Sequence, residues 1–173
     1  MQIRSSLTRA AVAATVLAGV ITAPTDADAQ LELTSYGPRA GFSADPDQFV
    51  IGAFADWGPL APMLHLVTSG EIGFGNDITV LQFNGDALYR FEGADTPVVF
   101  FAGGGLGIAR WSIDVPAVPG FTSGGSVSST EVGLNLVGGL EKDLGGYKTG
   151  SVELRIGVGD LPDFKVMVSL GFI

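Results

Sequence analysis

From about residue 31 onward the chain alternates between apolar and polar or very small side chains, in eight separate stretches. A period of two belongs to an extended strand with two different faces, because successive side chains leave a strand on opposite sides. The clearest stretch is Ser151–Val158. There Val152, Leu154, Ile156 and Val158 share one face, and Ser151, Glu153, Arg155 and Gly157 share the other. The final stretch repeats it, with Phe164, Val166, Val168, Leu170 and Phe172 opposite Lys165, Met167, Ser169 and Gly171. Outside the first thirty residues no segment carries the 3.6-residue apolar stripe of a helix.

The other stretches read the same way. Leu64, Leu66, Ile72 and Phe74 oppose His65, Ser69, Glu71 and Gly73. Leu81, Phe83, Ala87, Tyr89 and Phe91 oppose Gln82, Asn84, Asp86 and Arg90. Val132, Leu134, Leu136 and Leu140 oppose Glu131, Gly133, Asn135 and Glu141. Residues 97–111 are apolar on both faces, Gln48–Trp57 puts Gly52, Phe54 and Asp56 on its polar side, and Ser35–Ser43 does so with Arg39 and Gly41 but contains Pro38. Proline cannot donate to a ladder, so Pro38 marks an edge, a bulge or a strand end.

Composition sharpens the picture. Mean hydropathy is +0.39 and only 16% of residues are charged, yet no apolar run reaches the roughly 18 residues of a spanning helix. Strands of nine or more residues that show lipid every second side chain reconcile the two facts, since about 9–11 tilted residues cross a bilayer. Only closure into a barrel pairs every backbone group in hydrocarbon. A soluble calyx would put the apolar face inside instead. Three features favour the membrane form: very few lysines, a polar face rich in glycine and isolated charges, and unequal connections. The breaks near 57–61, 92–97 and 141–147 are short, whereas 113–127 is long. With both ends on the periplasmic side, the long break falls among the outer loops, as such barrels prefer.

Residues 1–29 read as a cleavable signal peptide and 30–173 as the barrel domain. Arg4 and Arg9 precede the apolar stretch Ala10–Ala23, and Ala27-Asp28-Ala29 forms a small-x-small cleavage site. The chain has no cysteine and a net charge of −9. Disulfides, thiol chemistry and a phosphate-binding basic stripe are therefore excluded, and with them a nucleic-acid partner.

The expected fold is thus all-β: an eight-stranded antiparallel up-and-down transmembrane barrel. The stretches DPDQFVIGAFADWG (45–58), EIGFGNDITV (71–80), ALYRF (87–91), FAGGGLGIARW (101–111), GLNLVGGLEKDL (133–144) and VELRIGVGDLPDFKVMVSLGFI (152–173) resemble the small outer-membrane β-barrel proteins of Gram-negative-type bacteria, with an OmpX- and OmpA-like architecture. That resemblance implies insertion by the barrel-assembly machinery through a C-terminal strand signal, here Val168, Leu170 and Phe172. Ile173 stands one place beyond the aromatic residue, a departure from the pattern.

Interior charges are the first candidate site: Arg39, Asp56, Glu71, Asp86, Arg90, Glu131, Glu153 and Arg155. They form either a proton or ion path or a paired structural filling. The second reading is preferred, because eight strands leave a lumen just wide enough for side chains and arginine pairs well with carboxylates in confined space. His65, Ser69 and Glu71 lie on one strand face, but their spacing spreads them over roughly 20 Å, too far for a catalytic triad. The run Gly103-Gly104-Gly105 with Gly107 has no following Lys-Ser/Thr or helix, so it is no phosphate loop. No enzymatic activity, metal or cofactor is expected. Asp45 and Asp47, Asp77, and Asp160 and Asp163 fall on one outer rim. They suit Ca²⁺ or Mg²⁺ bridging lipopolysaccharide, or simply turn chemistry.

Three functions remain in view. The first is a monomeric structural or interaction barrel whose outer loops meet lipopolysaccharide and the surroundings. The second is a narrow pore or hydrophobic-ligand channel. The third is a soluble periplasmic calyx.

Overall fold

A computed structural model describes residues 31–75, 78–91, 96–115 and 124–173. The expected signal peptide, Asp77 and the middle of the long break lie outside these residues. Eight strands follow in order: β1 (Ser35–Ala44), β2 (Gln48–Ala61), β3 (Leu64–Gly75), β4 (Ile78–Phe91), β5 (Val98–Val115), β6 (Gly125–Asp143), β7 (Lys148–Val158) and β8 (Phe164–Phe172). Each pairs antiparallel with its sequence neighbours, and β1 pairs with β8 to close the barrel.

Closure leaves two unlike ends. One, the turn end, carries both ends of the described chain and the connections after β2, β4 and β6. The other, the loop end, carries the connections after β1, β3, β5 and β7. The strands run further than the alternation indicates. β2 continues through Pro59 to Ala61, with register shifts between Asp56 and Pro59 and between Pro59 and Ala61, while β5 and β6 extend to Val115 and back to Gly125. Apolar alternation marks only the part of a strand that has an inside and an outside. Strand beyond the barrel wall, such as 125–130, is exposed on both faces and carries no such signal.

Pro38 sits inside β1, opposite Ala53 of β2. On the β8 side the ladder pairs Tyr36 with Phe172 and Arg39 with Ser169, and lapses between them. A residue without an N–H is tolerated where a rung is missing, here at the closing seam. At the β6–β7 turn Gly145, Gly146 and Tyr147 all have positive φ (79°, 63° and 61°), a conformation glycine adopts without strain.

The two faces are inverted relative to a soluble barrel. Arg39, Asp56, Glu71, Gln82, Asp86, Asn135, Glu153, Arg155 and Lys165 are buried inside. Ile51, Leu81, Phe83, Ile108, Leu136, Leu154, Ile156 and Val168 are exposed outside. Aromatic residues ring the outer wall at both ends of this apolar belt. Phe42, Phe49, Phe74 and Phe164 stand at the loop end, where the Phe42 and Phe49 rings lie 5.5 Å apart. Tyr36, Trp57, Tyr89, Phe91, Phe100 and Phe172 stand at the turn end, with Tyr89 and Phe91 4.9 Å apart. On β8 the rings are joined by the nine residues Phe164–Phe172.

Candidate functional site

Charged side chains converge in the lumen, and alternation is what puts them there. Every second residue of each strand must point inward, so charges on eight strands meet around one axis. They arrange in layers.

The middle layer is an ion-pair network. Arg39 of β1 donates from Nη2 to Glu153 Oε1 of β7 at 2.7 Å and lies 3.4 Å from Glu71 Oε1 of β3. Arg155 Nη2 reaches Glu153 Oε1 at 3.0 Å and Asp86 Oδ2 of β4 at 2.8 Å. Lys165 of β8 donates to Glu71 Oε2 at 2.8 Å and to Gln82 Oε1 at 2.6 Å. Gln82 passes the chain to Asn84 (2.6 Å), whose Oδ1 also accepts from Asn135 of β6 and whose Nδ2 donates to Ser69. Three cations and three carboxylates thus balance in a space closed to solvent. Buried charge requires such pairing.

A second ionic layer lies at the turn end. Arg90 bridges Asp56 Oδ2 (2.7 Å) and Glu141 Oε1 (3.0 Å), and His65 Nδ1 lies 3.1 Å from both Asp56 oxygens. Asp56 Oδ1 also accepts from the Gly58 N–H at 2.8 Å.

Apolar side chains separate and cap these layers. Val67, Leu88, Phe101 and Val137, with Phe54 against them, fill the lumen between the two ionic layers. A void of about 30 Å³ beside them borders Arg39, Asp56, Arg90 and Glu153, room for about one water molecule. At the loop end Val80, Ala109 and Leu161 form a cap with Ile78 and Trp111. Leu161 belongs to no strand. The β7–β8 connection folds it into the mouth, where it is 3% exposed. Glycines make the socket: a Cβ on Gly107 would stand 2.8 Å from Leu161 Cδ1, and one on Gly133 2.8 Å from Leu161 Cγ. Truncating this plug (Leu161→Ala) is expected to cost about 2 kcal/mol, the low end for a buried leucine because water can refill the mouth. Urea unfolding in detergent micelles measures it, and an unchanged midpoint would show that the plug carries no stability.

Of the candidate interior residues, Arg39, Glu71, Asp86, Glu153 and Arg155 meet in the middle network, and Asp56 and Arg90 in the turn-end layer. Glu131 faces the lumen axis at the loop-end mouth, beside Trp111 and Ser129, and is in neither layer. Lys165, Glu141 and His65 belong to the layers although only their polar-face parity pointed there. His65 finds Asp56 across the β2–β3 ladder, and Ser69 bonds to Glu71 and Asn84. Among the described residues, no serine hydroxyl is hydrogen-bonded to His65. The rim residues Asp45, Asp47, Asp160 and Asp163 are exposed at the loop end, where the Asp163 N–H points to the Asp45 carbonyl at 3.4 Å. Among the described residues no three acidic or imidazole side chains converge on a metal position. Val168, Leu170 and Phe172 lie on the outer face of β8.

Solved structures share this architecture. The N-terminal β-barrel domain of Pseudomonas aeruginosa OprF superposes with a TM-score of 0.59 at 15% identity, over 81% of this chain and 97% of that one. Neisserial surface protein A superposes with a TM-score of 0.54 at 15% identity, over 79% of this chain and 92% of that one. The chain has the fold of the small eight-stranded outer-membrane barrels. No protein-family model matches it, and no curated protein matches it in sequence.

Proposed function

We propose that this chain is an integral outer-membrane β-barrel with a closed, side-chain-filled lumen, acting as a structural or interaction protein through its loop end. The observation that carries the reading is the inverted polarity of the wall: an apolar belt between two aromatic girdles outside, and paired charges inside. Girdles of this kind mark the two interfaces of a membrane barrel. A soluble calyx with an apolar cavity does not fit a lumen filled by ion pairs. The loop end faces outward in this reading, and the acidic rim meets lipopolysaccharide and the surrounding medium. Export through the signal peptide and insertion by the barrel-assembly machinery through β8 complete it.

The layered lumen argues for a plug over a pore. Any ion would have to displace two ionic layers and two apolar ones. In planar bilayers the purified chain is expected to give no discrete conductance steps. It is also expected to sediment with the outer-membrane fraction and to migrate faster on gels unheated than boiled. A freely soluble mature protein would overturn the membrane reading. Regular unit conductance would overturn the closed lumen alone.

A further inference from the structure

The β5–β6 hairpin outgrows its surroundings. β4 follows β5 as far as Ile78 opposite Ile113, and β5 pairs with β6 up to Val115 opposite Gly125. On its other side, β6 meets β7 only from Leu134 opposite Val158 onward. Among the described residues, the run 125–133 of β6 therefore has a strand partner on one side alone. Such an edge presents backbone N–H and C=O groups that only another extended backbone satisfies in series. Edges are normally blunted by charged side chains, lysine above all, or by proline; GSVSSTEVG (125–133) has no lysine or proline, and its single charge, Glu131, is acidic. Residues 125–130 are exposed.

Charge says what kind of strand fits. Beneath the ribbon lies an open trough of about 600 Å³. Its acidic lining is Asp45, Glu131, Asp160 and Asp163, and among the described residues no lysine or arginine lines it. Ile113 and the exposed Val127 pair across the ribbon above it.

We propose that the open β6 edge binds an extended, basic polypeptide segment by strand addition. The incoming strand runs antiparallel to β6, along the line β7 would take had it continued past Val158. Backbone hydrogen bonds supply the register. Every second side chain of the guest, lysine or arginine, hangs over the acidic trough, where opposite potentials favour encounter and binding. The idea does not rest on the membrane reading, because the edge stands beyond the apolar belt and is open in detergent or in water.

The test uses the full chain in detergent micelles and labelled peptides of about nine residues, the length of the open edge. One peptide alternates lysine with threonine. A second replaces lysine by glutamate. A third keeps the lysines but carries N-methyl groups on alternate backbone amides. Fluorescence anisotropy is expected to show binding of the first and none of the second. The third should bind about tenfold more weakly, and the double substitution Asp160→Asn/Asp163→Asn should weaken the first by about tenfold. Amide exchange across 125–133 should slow when the lysine peptide binds, and unheated gel migration confirms that the variant is folded. Equal binding of the N-methylated peptide, equal binding by the folded variant, unprotected amides, or no binding at all would each overturn the proposal. So would a stable dimer in the absence of peptide, which would assign the edge to a second copy.

Discussion

Replacing Arg155 with methionine is expected to destabilise the barrel by about 3–5 kcal/mol, the cost of leaving buried charge without its partner. Arg155 is among the largest fully buried side chains and spans two carboxylates, Glu153 at 3.0 Å and Asp86 at 2.8 Å. The two are not equally exposed to its loss. Glu153 keeps Arg39 at 2.7 Å, whereas Arg155 is the only cation paired with Asp86 among the described residues. Adding Asp86→Asn to the methionine variant removes the stranded charge and should restore a large part of the loss. Arg110→Met, which among the described residues gives up only an exposed bond to Ser128 at 3.3 Å, should stay within about 0.5 kcal/mol. Urea titrations followed by the fluorescence of Trp57 and Trp111 measure all three. A loss near that of Arg110→Met would mean that water reaches the lumen freely and solvates the charges, which would remove the basis for a closed plug.

How much of this was legible in the sequence depends on what signal each part leaves. Parity placed Arg39, Glu71, Asp86, Glu153 and Arg155 on one face, and a closed barrel whose wall meets hydrocarbon turns that face inward. The pairing partners were not legible, because they come from strands far apart in sequence: Arg39 and Glu153 are separated by 114 positions. The turn-end layer shows the same limit. His65 was conspicuous as the only histidine, but its partner Asp56 is set by the β2–β3 register, which alternation does not fix. The apolar layer was partly visible. Phe101 sits in a stretch that is apolar on both faces, whereas Val67, Leu88 and Val137 are single apolar residues on otherwise polar faces and looked unremarkable. Leu161 was invisible, since a leucine in a turn carries no periodicity. Its trace lies in Gly107 and Gly133, whose missing side chains are the socket it fills.

On the outer wall, Leu136→Arg is expected to cost about 2–4 kcal/mol in phospholipid vesicles, the range for arginine at the bilayer midplane of a barrel. Leu136 sits at mid-height on β6, between Gly104 and Ile156, and is 55% exposed. In water that exposure would make the substitution nearly neutral, because surface changes away from special features stay within about 0.5 kcal/mol. The same side chain therefore gives opposite answers in the two media. Ser126 supplies the internal control. It lies on the same strand and the same face, about 34 Å further along β6 at a strand's rise per residue, on the ribbon that stands clear of the belt. Ser126→Arg should cost little in vesicles. A large difference between the two variants locates the hydrocarbon boundary between them. Equal, small effects would mean that the aliphatic wall meets water, and the exposed belt would then need a protein partner to cover it.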